Sequence, residues 1–249
     1  MTMLTRVRHA GIALLVSTSL APRMLSAQDT FGTLSSAHLD VKYQRGVPQE
    51  DARRVMDYLQ TEYKSLAADL GMEPKARLDV RIYESVGKYL QETALYLRGT
   101  LHLQPVSAVG SIKTFEKSMA YEMALAFLEQ SAQKGCPRWL EEAFASYYSG
   151  ETAGMTPPLG ARLTAFSDLN QDIQEHANPP QRDDVHYILT STMTYFVQKY
   201  GEKRAFRLYR EFDGTTTVDR VFKKVFEDEY PAVEKGWAKY IASRTASFK

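Results

Sequence analysis

Two glutamates in apolar surroundings are the residues of this chain best placed to do chemistry. Glu122 lies in Ala120-Tyr121-Glu122-Met123-Ala124-Leu125-Ala126, and Glu142 in Pro137-Arg138-Trp139-Leu140-Glu141-Glu142-Ala143. A carboxylate pair can divide acid and base duties, as glycoside or aspartyl-type hydrolysis requires. A glutamate can also activate a water on a divalent ion, when the residues just before it and three after it are histidines on one helix face. Here those two positions hold Tyr121 and Leu125. Leucine cannot bind a metal, and a neutral tyrosine rarely does. Glu122 therefore stands where a general base would stand, beside positions that cannot hold the ion it would serve.

Other nucleophiles and ligands are sparse. Cys136 is the single cysteine, so the chain forms no internal disulfide. It reads as a small apolar residue at the start of a helix opened by Pro137, with no histidine placed to activate it. His38, His102, His176 and His186 have no histidine partner at the spacing of a helical metal site. They read as surface or singly hydrogen-bonded histidines.

The elements that must position Glu122 and Glu142 follow from periodicity. His38 to Tyr43 alternates as a strand. Pro48 to Leu70 reads as a long helix, with Glu50 and Asp51 in its first turn. Val55, Leu59, Tyr63, Leu66 and Leu70 form its stripe, and Gly71 stops it. Ala76 to Tyr83 alternates again, residues 85–93 suggest a short helix, and Leu95 to Leu103 a hairpin turned at Arg98-Gly99-Thr100. Beyond Gly110 the pattern becomes helical. Ser111 to Gln130 carries Glu122 and Pro137 to Ser149 carries Glu142. A loop with Pro157-Pro158, a helix over 159–170 and a polar stretch over 171–184 come next. Helices are expected over 185–200, 202–212, 215–226 and Pro231 to Ala242. The fold class is α+β: a small mixed sheet with helices over 34–106, then a mainly helical lobe over 107–249.

The ends and the charge bound the setting. Arg6, Arg8 and His9 precede an apolar stretch from Gly11 to Ala21, and Leu25-Ser26-Ala27 fits a cleavage site. Residues 1–27 are expected to be a secretory signal peptide, and 28–36 a flexible tail after it. The expected location is therefore periplasmic or extracellular, with no membrane span after cleavage. The chain carries 31 basic and 30 acidic residues. Residues 1–27 hold three of the basic and none of the acidic ones, which leaves the remainder at −2. So balanced a charge gives no electrostatic case for nucleic acid.

The second segment carries a family resemblance. Pro137-Arg138-Trp139-Leu140-Glu141-Glu142-Ala143-Phe144-Ala145-Ser146-Tyr147 resembles the Pro-x-Trp-Leu-x-Glu-Gly-x-Ala-x-Tyr segment of the peptidase-MA-like proteins, a gluzincin branch of zinc metallopeptidases. In that family a strand–helix–strand region precedes the His-Glu-x-x-His helix, as it does the Glu122 segment here. The resemblance covers most of the sequence after residue 27 and implies one zincin-like domain. It makes Glu142 the third metal-ligand position and Tyr121 and Leu125 the two lost histidines. Tyr187, before Gly201-Glu202-Lys203, is similar to the tyrosine that stabilises the tetrahedral intermediate, although the glycine that follows it in the family is missing here.

The resemblance implies a zinc-peptidase scaffold whose metal site is lost. Such a protein is expected to lack a cofactor, where active relatives hold zinc, and to act by binding an extended peptide or protein in its cleft. If it is an enzyme at all, it is a peptidase-type hydrolase using the Glu122/Glu142 pair or a non-standard metal site. Two carboxylates facing one cleft without a cation repel, and one pKa rises. A shared proton, a cation such as Arg138 or Arg162, or a parting of the helices would relieve this. Leu125 would bury apolar surface where a metal stood, worth about 1.5–3 kcal/mol.

Overall fold

Strict alternation builds the sheet. The computed structural model describes residues 31–84, 93–131, 135–150 and 181–246, together with Ala165, Phe166, Leu169 and Ile173. Its strands are β1 (Phe31–Ser35), β2 (Leu39–Gln44), β3 (Leu78–Ile82), β4 (Ala94–Leu97) and β5 (Thr100–Leu103). They lie in the order β1-β2-β3-β5-β4. β2, β3 and β5 run parallel, while β1 and β4 close the two edges antiparallel. Leu39, Val41, Leu78, Val80, Ile82, Leu101 and Leu103 point to one face and are fully buried. Lys42, Asp79, Arg81, Thr100 and His102 take the opposite face, as period two requires.

Seven α-helices are present among the described residues: α1 (Gln49–Leu70), α2 (Ile112–Ser131), α3 (Arg138–Ser149), α4 (Gln181–Tyr200), α5 (Glu202–Arg207), α6 (Val218–Phe226) and α7 (Tyr230–Ala246). α1 buries Val55, Leu59, Tyr63, Leu66 and Leu70 and ends on Gly71 in the left-handed conformation. α2 has no polar face through its centre: every residue from Met119 to Leu128 is buried. It lies between the sheet, where it meets β4 and β5, and the helices α1 and α3. A helix apolar all round belongs in that position. α3 packs in turn on α4. Trp139 of α3 stacks on Phe166 at 4.9 Å and meets Phe222 of α6, while Trp237 of α7 closes on the other side of the same aromatic core.

The α+β class holds, with five strands preceding most of the helices. Residues 31–35, read as part of a flexible tail, form strand β1 instead. Leu34 pairs with Val41, and the Tyr43 ring lies over Gly32 directly opposite, so pairing with β2 supplies what the small polar sequence lacks. The helix expected over 215–226 starts at Val218. Asp213 accepts hydrogen bonds from the Thr215 and Thr216 amides and holds that turn outside the helix. The helix expected over 202–212 tightens to a 3-10 turn from Leu208. The last helix begins at Tyr230 and runs on to Ala246. The hairpin turns on Arg98-Gly99, both at positive φ. The signal peptide, the short helix over 85–93 apart from Thr93, the Pro157-Pro158 loop, most of the helix over 159–170, His176 and Arg162 lie outside the described residues. No helix among the described residues is long and apolar enough to cross a membrane.

Candidate functional site

The α2–α3 contact brings Tyr121 and Glu142 together. The Tyr121 hydroxyl donates a hydrogen bond to Glu142 Oε2. The other oxygen, Oε1, is held by Arg138 Nη2 at 2.7 Å, one helical turn earlier on α3. Arg138 also reaches Glu141 Oε2 through Nη1 at 3.4 Å. Glu142 is almost wholly buried, whereas Arg138 is 44% exposed. The guanidinium thus enters from the surface and neutralises an interior carboxylate. Burial holds the Glu141 carboxyl above its ordinary value despite the neighbouring guanidinium, and the Glu129 charge adds to that rise.

Glu122 is turned elsewhere. Adjacent residues on a helix point about 100° apart, so Tyr121 and Glu122 leave α2 in different directions. Glu122 Oε2 accepts the backbone N–H of Tyr96 on β4 at 2.7 Å, between two buried residues. Each carboxylate therefore has its own donors. A cation and a tyrosine hydroxyl serve Glu142, and a backbone amide serves Glu122. Leu125 is buried in the same helix, in contact with the core.

The α4 helix contributes His186 to this cluster. Its ring stacks on Tyr121 with centroids 5.5 Å apart. Tyr187, one position on, faces α7: burial raises its pKa, Arg244 opposes that rise, and its charge acts in turn on Tyr240. A one-residue step on α4 thus decides which side chain meets the site, and the sequence offered no signal for His186 beyond its place beside Tyr187. Nor could it reveal Tyr96, whose contribution is a backbone group. Cys136 is partly buried, and burial beside Glu141 pushes its thiol well above the ordinary range, away from nucleophilic use. His38 stacks on Tyr63 at 4.2 Å, and His102 Nδ1 pairs with the Tyr83 hydroxyl at 2.7 Å on the far face of the sheet.

The donor set does not fit a zinc ion. Leu125 offers no atom, Tyr121 spends its proton on Glu142, and both oxygens of Glu142 face donors. A guanidinium at 2.7 Å from the Glu142 carboxylate would repel a dication. Among the described residues no group of three His, Cys, Asp or Glu side chains is arranged to hold a metal. The arrangement can pin three helices through one buried polar cluster. Neither an activated nucleophile nor a carboxylate with an unengaged pair of oxygens is presented by Glu142 or Tyr121. No protein-family model matches the chain, and no curated protein matches it either.

Proposed function

We propose that this is an exported, peptidase-MA-like protein that has exchanged its zinc site for an organic cluster and acts by binding an extended peptide or protein, without catalysis. The observation that carries the reading is the Tyr121–Glu142–Arg138 cluster, in which an intramolecular cation serves the carboxylate that a metal would need. The zincin-like assignment is supported by the order of elements. A mixed sheet with an antiparallel edge strand lies against a buried helix bearing Glu122, and the next helix bears Glu142. Export is supported by the basic and apolar character of residues 6–21. β4 is the last strand of the sheet, and an extended chain added along its outer edge would gain backbone hydrogen bonds. The alternative, hydrolysis by the Glu122/Glu142 pair, is disfavoured because each carboxylate is already an acceptor for a different donor.

Elemental analysis of the purified full chain, combined with peptide hydrolysis and selection from a displayed peptide library, tests this. The expected result is substoichiometric zinc, no turnover and enrichment of extended sequences. Zinc near one per chain that is lost on Glu142→Ala would overturn the loss of the metal site. Turnover abolished by Glu122→Gln would overturn the non-catalytic role, and a library without enrichment would overturn binding.

A further inference from the structure

The register of the β4–β5 hairpin fixes which backbone groups of β4 face outward. Gln104 N–H bonds Thr93 C=O at 3.0 Å, which makes Thr93 and Gln104 a hydrogen-bonded pair. Alternation then assigns Leu95–His102 and Leu97–Thr100 to the hydrogen-bonded class as well. Ala94 and Tyr96 fall between them, so their backbone groups point away from β5. β4 is the last strand of the sheet, and this outward side is its edge.

Glu122 sits on that edge. Its Oε2 receives the outward Tyr96 N–H at 2.7 Å, the bond an incoming strand would offer through a carbonyl oxygen. Two turns further along α2, Gln130 Nε2 donates to the carbonyl of Gly99 at the hairpin turn. Residues eight apart share a helix face, so a single face of α2 lies along the hairpin and supplies it with an acceptor and a donor. Sheet edges left open pair with other chains, and proteins close them with an inward-pointing charge or a covering helix. Here both devices act through one residue.

We infer that Glu122 is an internal cap on the outer edge of β4, holding the position that a carbonyl of an added strand would take. The residue at the general-base position has become a positioning residue for the edge strand. A consequence rests on the peptide-binding reading above: an extended ligand on β4 displaces the Glu122 carboxylate from Tyr96, so Glu122 sets the threshold for occupancy.

The test is amide exchange at Tyr96 followed by NMR in the full chain, beside binding of a fluorescein-labelled hexapeptide of alternating Thr and Val. Glu122→Ala is expected to speed Tyr96 exchange by about tenfold or more. Glu122→Gln, whose amide oxygen still accepts, restores protection to within about threefold of the native chain. Should the alanine variant not fold, Glu122→Asp shortens the reach while keeping the charge, and the same acceleration is expected. Unchanged Tyr96 exchange in the alanine or aspartate variant overturns the cap. In the binding arm, Glu122→Ala is expected to hold the hexapeptide about fivefold more tightly than the native chain. Equal affinity overturns the threshold role. If neither chain binds the peptide while exchange behaves as expected, the peptide-binding reading falls and the cap stands.

Discussion

Arg138→Met is the perturbation that measures the buried cluster most directly. It keeps the aliphatic stem and removes the cation 2.7 Å from Glu142 and 3.4 Å from Glu141. Breaking a fully buried pair from one side costs about 3–5 kcal/mol, and an exposed pair about 0–1 kcal/mol. Glu142 is 9% exposed and Arg138 44%, so the expected loss lies between these ranges, about 2–3 kcal/mol. Glu142→Gln should cost less, about 1–2 kcal/mol. Arg138 can turn to water and Glu141, and the amide oxygen still accepts from Tyr121. The double variant leaves no orphaned charge at Glu142. Its cost should fall short of the sum by about 1–2 kcal/mol. Urea unfolding of the four chains supplies the cycle. Acid supplies a second signature. The Glu141 carboxyl already sits above its ordinary value because of burial, and Arg138 opposes that rise. Without Arg138 the folded state holds protons more tightly than the unfolded state, so the deficit of Arg138→Met shrinks as pH falls from neutrality. Additivity within about 0.5 kcal/mol, or a deficit independent of pH, would refute the cluster as an interacting unit.

Three further outcomes are expected. Tyr121→His with Leu125→His should remain a poor zinc binder by chelator competition, while adding Arg138→Ala should tighten zinc at least about tenfold. The reason is the guanidinium on Glu142, and equal affinity of the double and triple variants would contradict it. Gly236→Ala should cost about 1–3 kcal/mol in chemical denaturation, because a Cβ there would lie 2.0 Å from the Tyr195 hydroxyl; an unchanged midpoint would mean that Tyr195 moves at no cost. His102 is held below its ordinary pKa by burial and by Arg81, so the folded state binds fewer protons than the unfolded state. Stability should fall as pH drops below about 6.5, and His102→Gln should flatten that fall in urea midpoints taken between pH 7.5 and 5.

The parts of the fold written in side-chain periodicity could be read in the sequence. The stripe from Val55 to Leu70 and the stop at Gly71 gave α1 to within a residue, and Arg98-Gly99 marked the hairpin. β1 could not be read the same way. Leu34 is its one large side chain paired over the core face, and the strand exists through β2. The onset of α6 depended on Asp213 capturing two amides, a local competition that periodicity does not report. At the site, Arg138 and Glu142 stand four apart on one helix, so their pairing was legible. The partner of Glu122 was not, because it is a backbone N–H whose direction depends on strand register. The choice between His186 and Tyr187 was equally hidden. Both lie on α4, and only the rotation of that helix decides which one meets Tyr121.

That division bears on how the fold tolerates buried carboxylates. One charge-assisted bond from Tyr121 and one half-exposed ion pair supply only a few kcal/mol between them. Packing contributes more. α2 buries ten successive residues, and the Trp139–Phe166–Trp237 aromatic cluster anchors α3 independently of Glu142. The polar cluster therefore chiefly prevents a cost: Glu142 alone would be a buried unpaired charge, and Arg138 and Tyr121 remove that penalty. Glu122 solves the same problem with the one donor that no substitution on β4 short of proline can delete, the amide of Tyr96. The edge strand and α2 then hold each other through Glu122.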